Sequence, residues 1–243
     1  MTEDRKLPLI GERRRITLNG ASIGIAWIRP EQLAAWSSGR VADSWLAPEE
    51  IAGLEALSER SVADRLASRL ALKLLVSEED AFADVAPGRI AARPGEHGRP
   101  DLVVAGVTAL MPRISLSHSA GWGAAALCWE GALGIDVQHP RRGMRRVLPR
   151  LLAPGEFAEV DDDIVALWVL KEAALKAWGS GLDLPLRDVV VGPRDDAGQA
   201  TVRMSLAASE WDAHASLVGG GMFWRDSGVG MGIAHFPSAR EDI

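Results

Sequence analysis

The sequence contains no tyrosine, four phenylalanines and a single cysteine in 243 residues. One cysteine, Cys128, excludes an internal disulfide framework and points to a reducing compartment such as the cytoplasm. Long apolar runs are also missing, so no membrane-spanning helix is expected. The opening residues Glu3, Asp4, Arg5 and Lys6 are charged, so no secretory apolar region is expected there. Positive charge is not in excess: 27 Lys and Arg against 33 Asp and Glu give a net charge of −6 and a pI near 5.4. Bulk attraction to nucleic acid is therefore not expected, and a polyanionic ligand has to be met by local basic clusters. No zinc-ligand spacing, heptad array or low-complexity tract is present. Against these absences, 47% hydrophobic and 25% charged residues supply core enough for one large domain or two small ones. The nine tryptophans have no functional account.

Two stretches of the chain share an order of elements. Gly24 to Pro30 reads as a strand, the string Leu46-Ala47-Pro48-Glu49-Glu50 opens a helix, and Leu66, Leu70, Leu74 and Leu75 mark a longer helix. Downstream, Leu133 to Pro140 reads as a strand, Leu152-Ala153-Pro154-Gly155-Glu156 opens a helix, and a long helix surrounds Leu167 to Trp178. Pro48 and Pro154 suit a first helical turn, where no amide partner is needed. Asp161, Asp162 and Asp163 suit the start of the second long helix, and Gly179 or Gly181 its end. Leu167, Leu170, Ala174 and Trp178 form its expected apolar stripe. The segment Ala125 to Val137 reads as two strands meeting at Glu130-Gly131. Two hairpins are expected, turning at Asp195 to Gly198 and at Asp226 to Gly228. The glycines at 228, 230 and 232 lead into strand-like residues, so they read as hairpin rather than phosphate loop. The expected class is α+β, a pseudo-twofold pair of similar subdomains at 1–130 and 131–243.

Six segments carry possible chemistry. In Trp168 to Leu182, Glu172 and Lys176 stand four apart and share one helix face, turned from the apolar stripe. In Gly134 to Gln138, Ile135 and Val137 want burial, which puts Asp136 and Gln138 on the opposite strand face. Asp136, Gln138 and Glu172 could together hold one hard cation, since magnesium takes one or two carboxylates plus phosphate oxygens and water. The plain alternative is a turn-capping Asp136 and an ordinary Glu172–Lys176 ion pair. In Ser115 to Ser119, Ser117 and His118 point to opposite faces, which argues against a nucleophile–base pair and for His118 as an anion binder or a satisfied histidine. Arg99, within Gly98 to Pro100, would present a guanidinium to phosphate from a loop. Arg65, Arg69 and Lys73 recur at four-residue spacing, with Arg60 nearby, and form either a phosphate grip or a solvated face. Arg141 to Arg150 is the densest basic cluster, fit to dock an acidic partner or to start a solvated helix.

The Arg69 helix, Gly98 to Pro100, Ser115 to Ser119, Gly134 to Gln138 and Trp168 to Leu182, in that order and spacing, resemble the 4′-phosphopantetheinyl transferases. The similarity is to the longer surfactin-synthetase type with two alike halves and a site between them. That resemblance implies a magnesium-dependent enzyme, a holo-[acyl-carrier-protein] synthase. It would move the phosphopantetheine arm of coenzyme A to a serine of an apo acyl or peptidyl carrier protein and release adenosine 3′,5′-bisphosphate. It implies Asp136 and Glu172 as magnesium ligands, with Gln138 where many members carry glutamate. Glu172 would also help deprotonate the attacking serine, and Lys176 would contact the phosphates. Arg69, Arg99, Ser117 and His118 would contact coenzyme A, and Trp168 would pack beside the site. Ser115 stands where asparagine is common. A monomeric cytoplasmic protein with no nucleic-acid or membrane partner is expected.

Two other readings stay open on sequence. A non-catalytic coenzyme A- or carrier-binding module is favoured by Gln138. A metal-dependent phosphohydrolase would use water in place of the carrier serine and would leave the Arg141 to Arg150 cluster without a partner.

Overall fold

The computed structural model describes residues 11–37, 45–55, 57–95, 98–179, 184–205 and 216–237. Gly181 lies outside the described residues. The first sheet contains β1 (Glu12–Leu18), β2 (Ala21–Ile28), β5 (Arg113–Ser119) and β6 (Trp122–Cys128) in the order β1-β2-β6-β5. The second contains β7 (Ala132–Gln138), β8 (Val189–Val191), β9 (Gln199–Ser205), β10 (Ser216–Asp226) and β11 (Val229–Phe236) in the order β7-β11-β10-β9-β8. A small hairpin of β3 (Ile90–Pro94) and β4 (Pro100–Val104) stands apart. All pairings are antiparallel. The helices are α1 (Pro30–Ser37), α2 (Pro48–Glu55), α3 (Glu59–Val76), the single turn α4 (Leu148–Leu151) and α5 (Asp161–Trp178).

Strand alternation explains the layering. Ile23, Ile25 and Trp27 of β2, Ala124 and Ala126 of β6, Ile135 and Val137 of β7, and Met231 and Ile233 of β11 share one core between the two sheets. The alternate residues face outward onto helices. Ala26, Ile28, Ala125 and Leu127 pack with Leu66, Leu70 and Leu74 of α3, and Ala234 and Val202 pack with Ala173 and Ala177 of α5. The result is helix, sheet, sheet, helix. β6 and β7 are joined by three residues but lie in different sheets, so the Glu130-Gly131 junction passes the chain from one sheet to the other.

Helix α5 sits unusually close to β7. A Cβ at Gly134 would fall 1.8 Å from the Ala173 carbonyl oxygen, so only glycine permits this approach. The buried stripe of α5 includes Val165, Val169, Ala173 and Ala177 as well as Leu170 and Ala174, while Leu167 and Trp178 are only half-buried. The stripe is therefore rotated from the expected one, with Val165 and Val169 set against Gly230 and Gly232 of β11 and Ala173 against Gly134 of β7. Asp163 Oδ2 accepts from the backbone N–H groups of Glu159 and Val160, and Gly179, at φ +82°, ends the helix.

One expectation is overturned. Leu152 to Phe157 does not open a helix; it forms a turn in which Gly155 takes φ +86° and the Glu156 N–H bonds to the Ala153 carbonyl. Glycine's left-handed conformation interrupts the helical path that Glu49 permits at the matching point of α2.

Candidate active site

The edge strands β5 and β7 of the two sheets run side by side, and α3 and α5 rise on either side of that seam. A cleft of about 750 Å³ lies over it. Its walls bring together Ser117 and His118 of β5, Asp136 and Gln138 of β7, and Glu172 and Lys176 of α5. The cleft is further lined by Trp168 of α5, Arg60 and Asp64 of α3, and Arg141.

Asp136 is buried. Its Oδ1 accepts from Ser117 Oγ at 2.8 Å and from Lys176 Nζ at 2.7 Å. Lys176 Nζ also donates to Ser117 Oγ at 2.9 Å and to the Ile135 carbonyl at 3.1 Å. An ammonium has three protons, so all three donors of Lys176 are engaged by the protein. Glu172 stands beside this cluster. Burial, reinforced by the nearby Asp136 charge and only opposed by Lys176, holds its carboxyl above the ordinary glutamate range.

His118 is exposed on the other face of β5 from Ser117, as alternation requires, with Nδ1 3.9 Å from Asp64 Oδ2. Partial desolvation of its half-covered ring, with the cations Lys176, Arg65 and Arg69, holds its pKa below the usual histidine value against the pull of Asp64. Asp64 also accepts from the Gly121 N–H, tying α3 to the β5–β6 turn. At the other end of Lys176, Arg99 packs over Gly179 and shares with Lys176 and Ser115 a small cavity of about 110 Å³. A guanidinium there also faces the C-terminal end of the α5 dipole.

The remaining basic residues separate. Arg69 does not line the cleft; its Nε lies 3.5 Å from Glu50 Oε1, and burial lowers its pKa. Lys73 is fully buried and paired with Glu50 at 2.7 Å. The four-residue spacing of Arg65, Arg69 and Lys73 thus runs from the surface into the core, so it is neither a common phosphate grip nor a solvated face. Arg141 reaches the cleft, Arg145 pairs with Asp161 at 2.9 Å, and Arg142, Arg146 and Arg150 are exposed. Sequence reasoning gave no role to Asp64 or Ser119; the Ser-x-Ser-x-Ser alternation of β5 was the one available signal for the latter.

The donor set suits a hard cation. Among the described residues no three His, Cys, Asp or Glu side chains converge on a metal position; the set here is two carboxylates, Asp136 and Glu172, with the Gln138 amide. Magnesium needs no more than that when phosphate and water complete its shell. Burial and the Asp136 charge raise the Glu172 pKa even with Lys176 close by, so a bound cation would relieve two neighbouring, desolvated carboxylates. Gln138 Nε2 donates to the His139 carbonyl, so its oxygen is the atom suited to ligation.

Comparison with known proteins agrees with this geometry. Residues 132–227 match the 4′-phosphopantetheinyl transferase superfamily, a span that contains Asp136, Gln138, Trp168, Glu172 and Lys176. The chain is 30% identical over 135 residues to a Synechocystis sp. (strain ATCC 27184 / PCC 6803 / Kazusa) protein provisionally assigned as a 4′-phosphopantetheinyl transferase, covering 51% of this chain and 53% of that one. It is 30% identical over 90 residues to the 4′-phosphopantetheinyl transferase of Bacillus subtilis, covering 34% of this chain and 40% of that one. The chain thus spans about half or less of the length of these relatives. Over residues 132–227, which carry the carboxylates and lysine of the cleft, the chain is thus similar to the 4′-phosphopantetheinyl transferase superfamily.

Proposed function

We propose that the protein transfers the 4′-phosphopantetheine arm of coenzyme A to a serine of an apo carrier protein, with magnesium, and releases adenosine 3′,5′-bisphosphate. The observation that carries this reading is the meeting of Asp136, Glu172 and Lys176 in one cleft from two separate elements. Asp136, Glu172 and the Gln138 oxygen would hold the cation, which when bound offsets charge on the pyrophosphate. Glu172, held above the usual carboxylate range, is suited to accept the proton of the carrier serine as its Oγ bonds to the phosphorus of the pantetheine phosphate. The bond from that phosphorus to the bridging oxygen breaks, and the electron pair leaves with the bisphosphate. Lys176 supplies positive charge beside that oxygen; with its donors already engaged, it acts through its field. His118 and Arg99 would meet coenzyme A phosphates from the β5 side, and Arg69 would act only at longer range.

Exposed Arg142, Arg146 and Arg150 flank Arg141 at the cleft and would dock an acidic carrier surface. The two sheets, one drawn from residues before 130 and the other from residues after 131, support reading the chain as two α+β halves. Both walls of the cleft come from one chain, which supports a monomer; the single buried cysteine supports a cytoplasmic setting.

The test is to mix the protein with coenzyme A, magnesium and an apo carrier, and to record the carrier's intact mass. A gain of one phosphopantetheine that disappears without magnesium supports transfer. The neutral Gln138 favours the second reading, a coenzyme A-binding module without catalysis. Bound coenzyme A with no mass gain on any carrier would select it.

A further inference from the structure

The geometry points to Ser117 as a positioning residue for Asp136 and Lys176, and away from the coenzyme A contact that its motif implies. A serine hydroxyl offers one proton and two lone pairs. The proton of Ser117 goes to Asp136 Oδ1 at 2.8 Å, since a carboxylate only accepts. The lone pairs receive the Val137 N–H at 3.2 Å and Lys176 Nζ at 2.9 Å. Nothing of the hydroxyl's capacity remains for a phosphate.

Its neighbours show what this arrangement is for. Ser115 Oγ accepts from the Ile135 N–H at 3.0 Å, and Ser119 Oγ accepts from the His139 N–H at 3.2 Å. β5 and β7 are edges of different sheets, and three hydroxyls on one face of β5 bond to alternate N–H groups of β7 and of His139 just after it. These hydroxyls act where carbonyls of a neighbouring strand would otherwise stand. Asp136 sits between two of the residues so held, and its register against β5 is fixed on both sides. The bonds from Ser117 and Lys176 both fall on Oδ1, which orients the carboxylate with Oδ2 as the oxygen for a cation. An unoriented Asp136 would have to be ordered by the cation itself.

This inference rests on the proposed transferase only for its kinetic readout, so binding is measured first and without a carrier. Calorimetric titrations of Mn²⁺ and of coenzyme A are compared for the wild type, Ser117→Ala and Ser117→Thr, with kcat and KM taken afterwards. Loss of an outer-shell partner of a metal ligand typically weakens metal binding about 10–100-fold, and Ser117→Ala is expected in that range. Its coenzyme A affinity is expected to change less than about threefold, as for a group that makes no ligand contact, and kcat falls while KM for coenzyme A holds. Ser117→Thr keeps the hydroxyl and is expected to restore cation binding. The reverse pattern, weakened coenzyme A with unchanged Mn²⁺ binding, overturns the assignment. Should Ser117→Ala not fold, Ser117→Cys, near in size and poor in hydrogen bonding, is read by the same criteria. A wild type that binds both ligands yet modifies no carrier removes the transferase reading alone, and the binding comparison still decides the role of Ser117.

Discussion

Glu50 and Glu156 close the same turn in two places of the fold. Glu50 Oε2 accepts from the Ala47 N–H at 3.0 Å, and Glu156 Oε2 accepts from the Ala153 N–H at 2.7 Å. Each then carries a fully buried lysine: Lys73 at 2.7 Å from Glu50, and Lys171 at 2.5 Å from Glu156. Each lysine also donates to backbone carbonyls, Lys73 to Pro87 and Ile90 and Lys171 to Leu151. Burial pulls both lysines below their usual pKa while the glutamates pull it back up. The repeated Leu-Ala-Pro-x-Glu string therefore encodes a buried ion-pair turn, whether or not a helix follows.

Removing one partner strands the other charge in the core. Lys171→Met is expected to destabilise the protein by about 3–5 kcal/mol, the usual cost of a broken buried pair. Urea unfolding checks this. A loss under about 1 kcal/mol would mean the pair behaves like an exposed one.

Glu172→Gln keeps the shape and removes the charge. Transfer is expected to fall at least about 100-fold, the scale of a general base, with the melting temperature unchanged or raised. The pH dependence follows from the direction of the Glu172 shift. A carboxyl raised on folding holds its proton longer in the native state, so stability is full below the unfolded glutamate value and falls as pH rises through the raised one. Magnesium should reduce that fall in the wild type and leave Glu172→Gln unaffected. Melting curves from pH 4 to 8, with and without magnesium, measure both.

Gln138→Glu adds a third carboxylate oxygen donor at the cleft. Tighter magnesium binding is expected, by about tenfold if the charge reaches the ion. An unchanged metal titration would place residue 138 outside the coordination shell.

Gly134→Ala is expected to cost more than an ordinary overpacked core, which loses about 1–3 kcal/mol. The new methyl would overlap the Ala173 carbonyl, which is backbone and cannot rotate away. Activity should fall with stability, because α5 must lift and carry Glu172 from Asp136. Chemical unfolding and turnover of the same preparation test the link.

Cys128 is buried at the end of β6 in the core between the two sheets, and burial pushes its thiol up to about 11. Native protein should resist alkylation at pH 8, where the denatured chain reacts readily. Between the unfolded thiol value of 9.0 and about 11 the native state retains a proton that the unfolded state loses. Stability therefore declines across that window, and Cys128→Ala should flatten the decline. Alkylation followed by mass spectrometry, and denaturation across that range, provide the readings.

Much of the site was legible because it lies in local patterns. Alternation along β7 placed Asp136 opposite Ile135 and Val137, and helical spacing stacked Glu172 over Lys176. Both hairpins and the Gly179 stop followed from turn chemistry. Spacing misled where a long side chain decides its own environment. Lys73 read as part of a phosphate grip or a solvated face, and Lys171 had no reading of its own, yet each finds a carboxylate and a backbone carbonyl in the core. The helix expected at Pro154 failed at one glycine, whose left-handed φ no propensity sum weighs against its neighbours.

The sequence by itself determined most of the elements, the catalytic-looking residue types and the family resemblance, since these depend on neighbours a few positions apart. Only the tertiary structure decided which partners those residues meet. Ser117 and Lys176 are 59 positions apart, yet both bond to Asp136. That meeting requires two sheet edges to align and α5 to close on a glycine. Hydrogen-bond capacity, fixed by chemistry at each residue, was then filled by whatever the packing brought within reach.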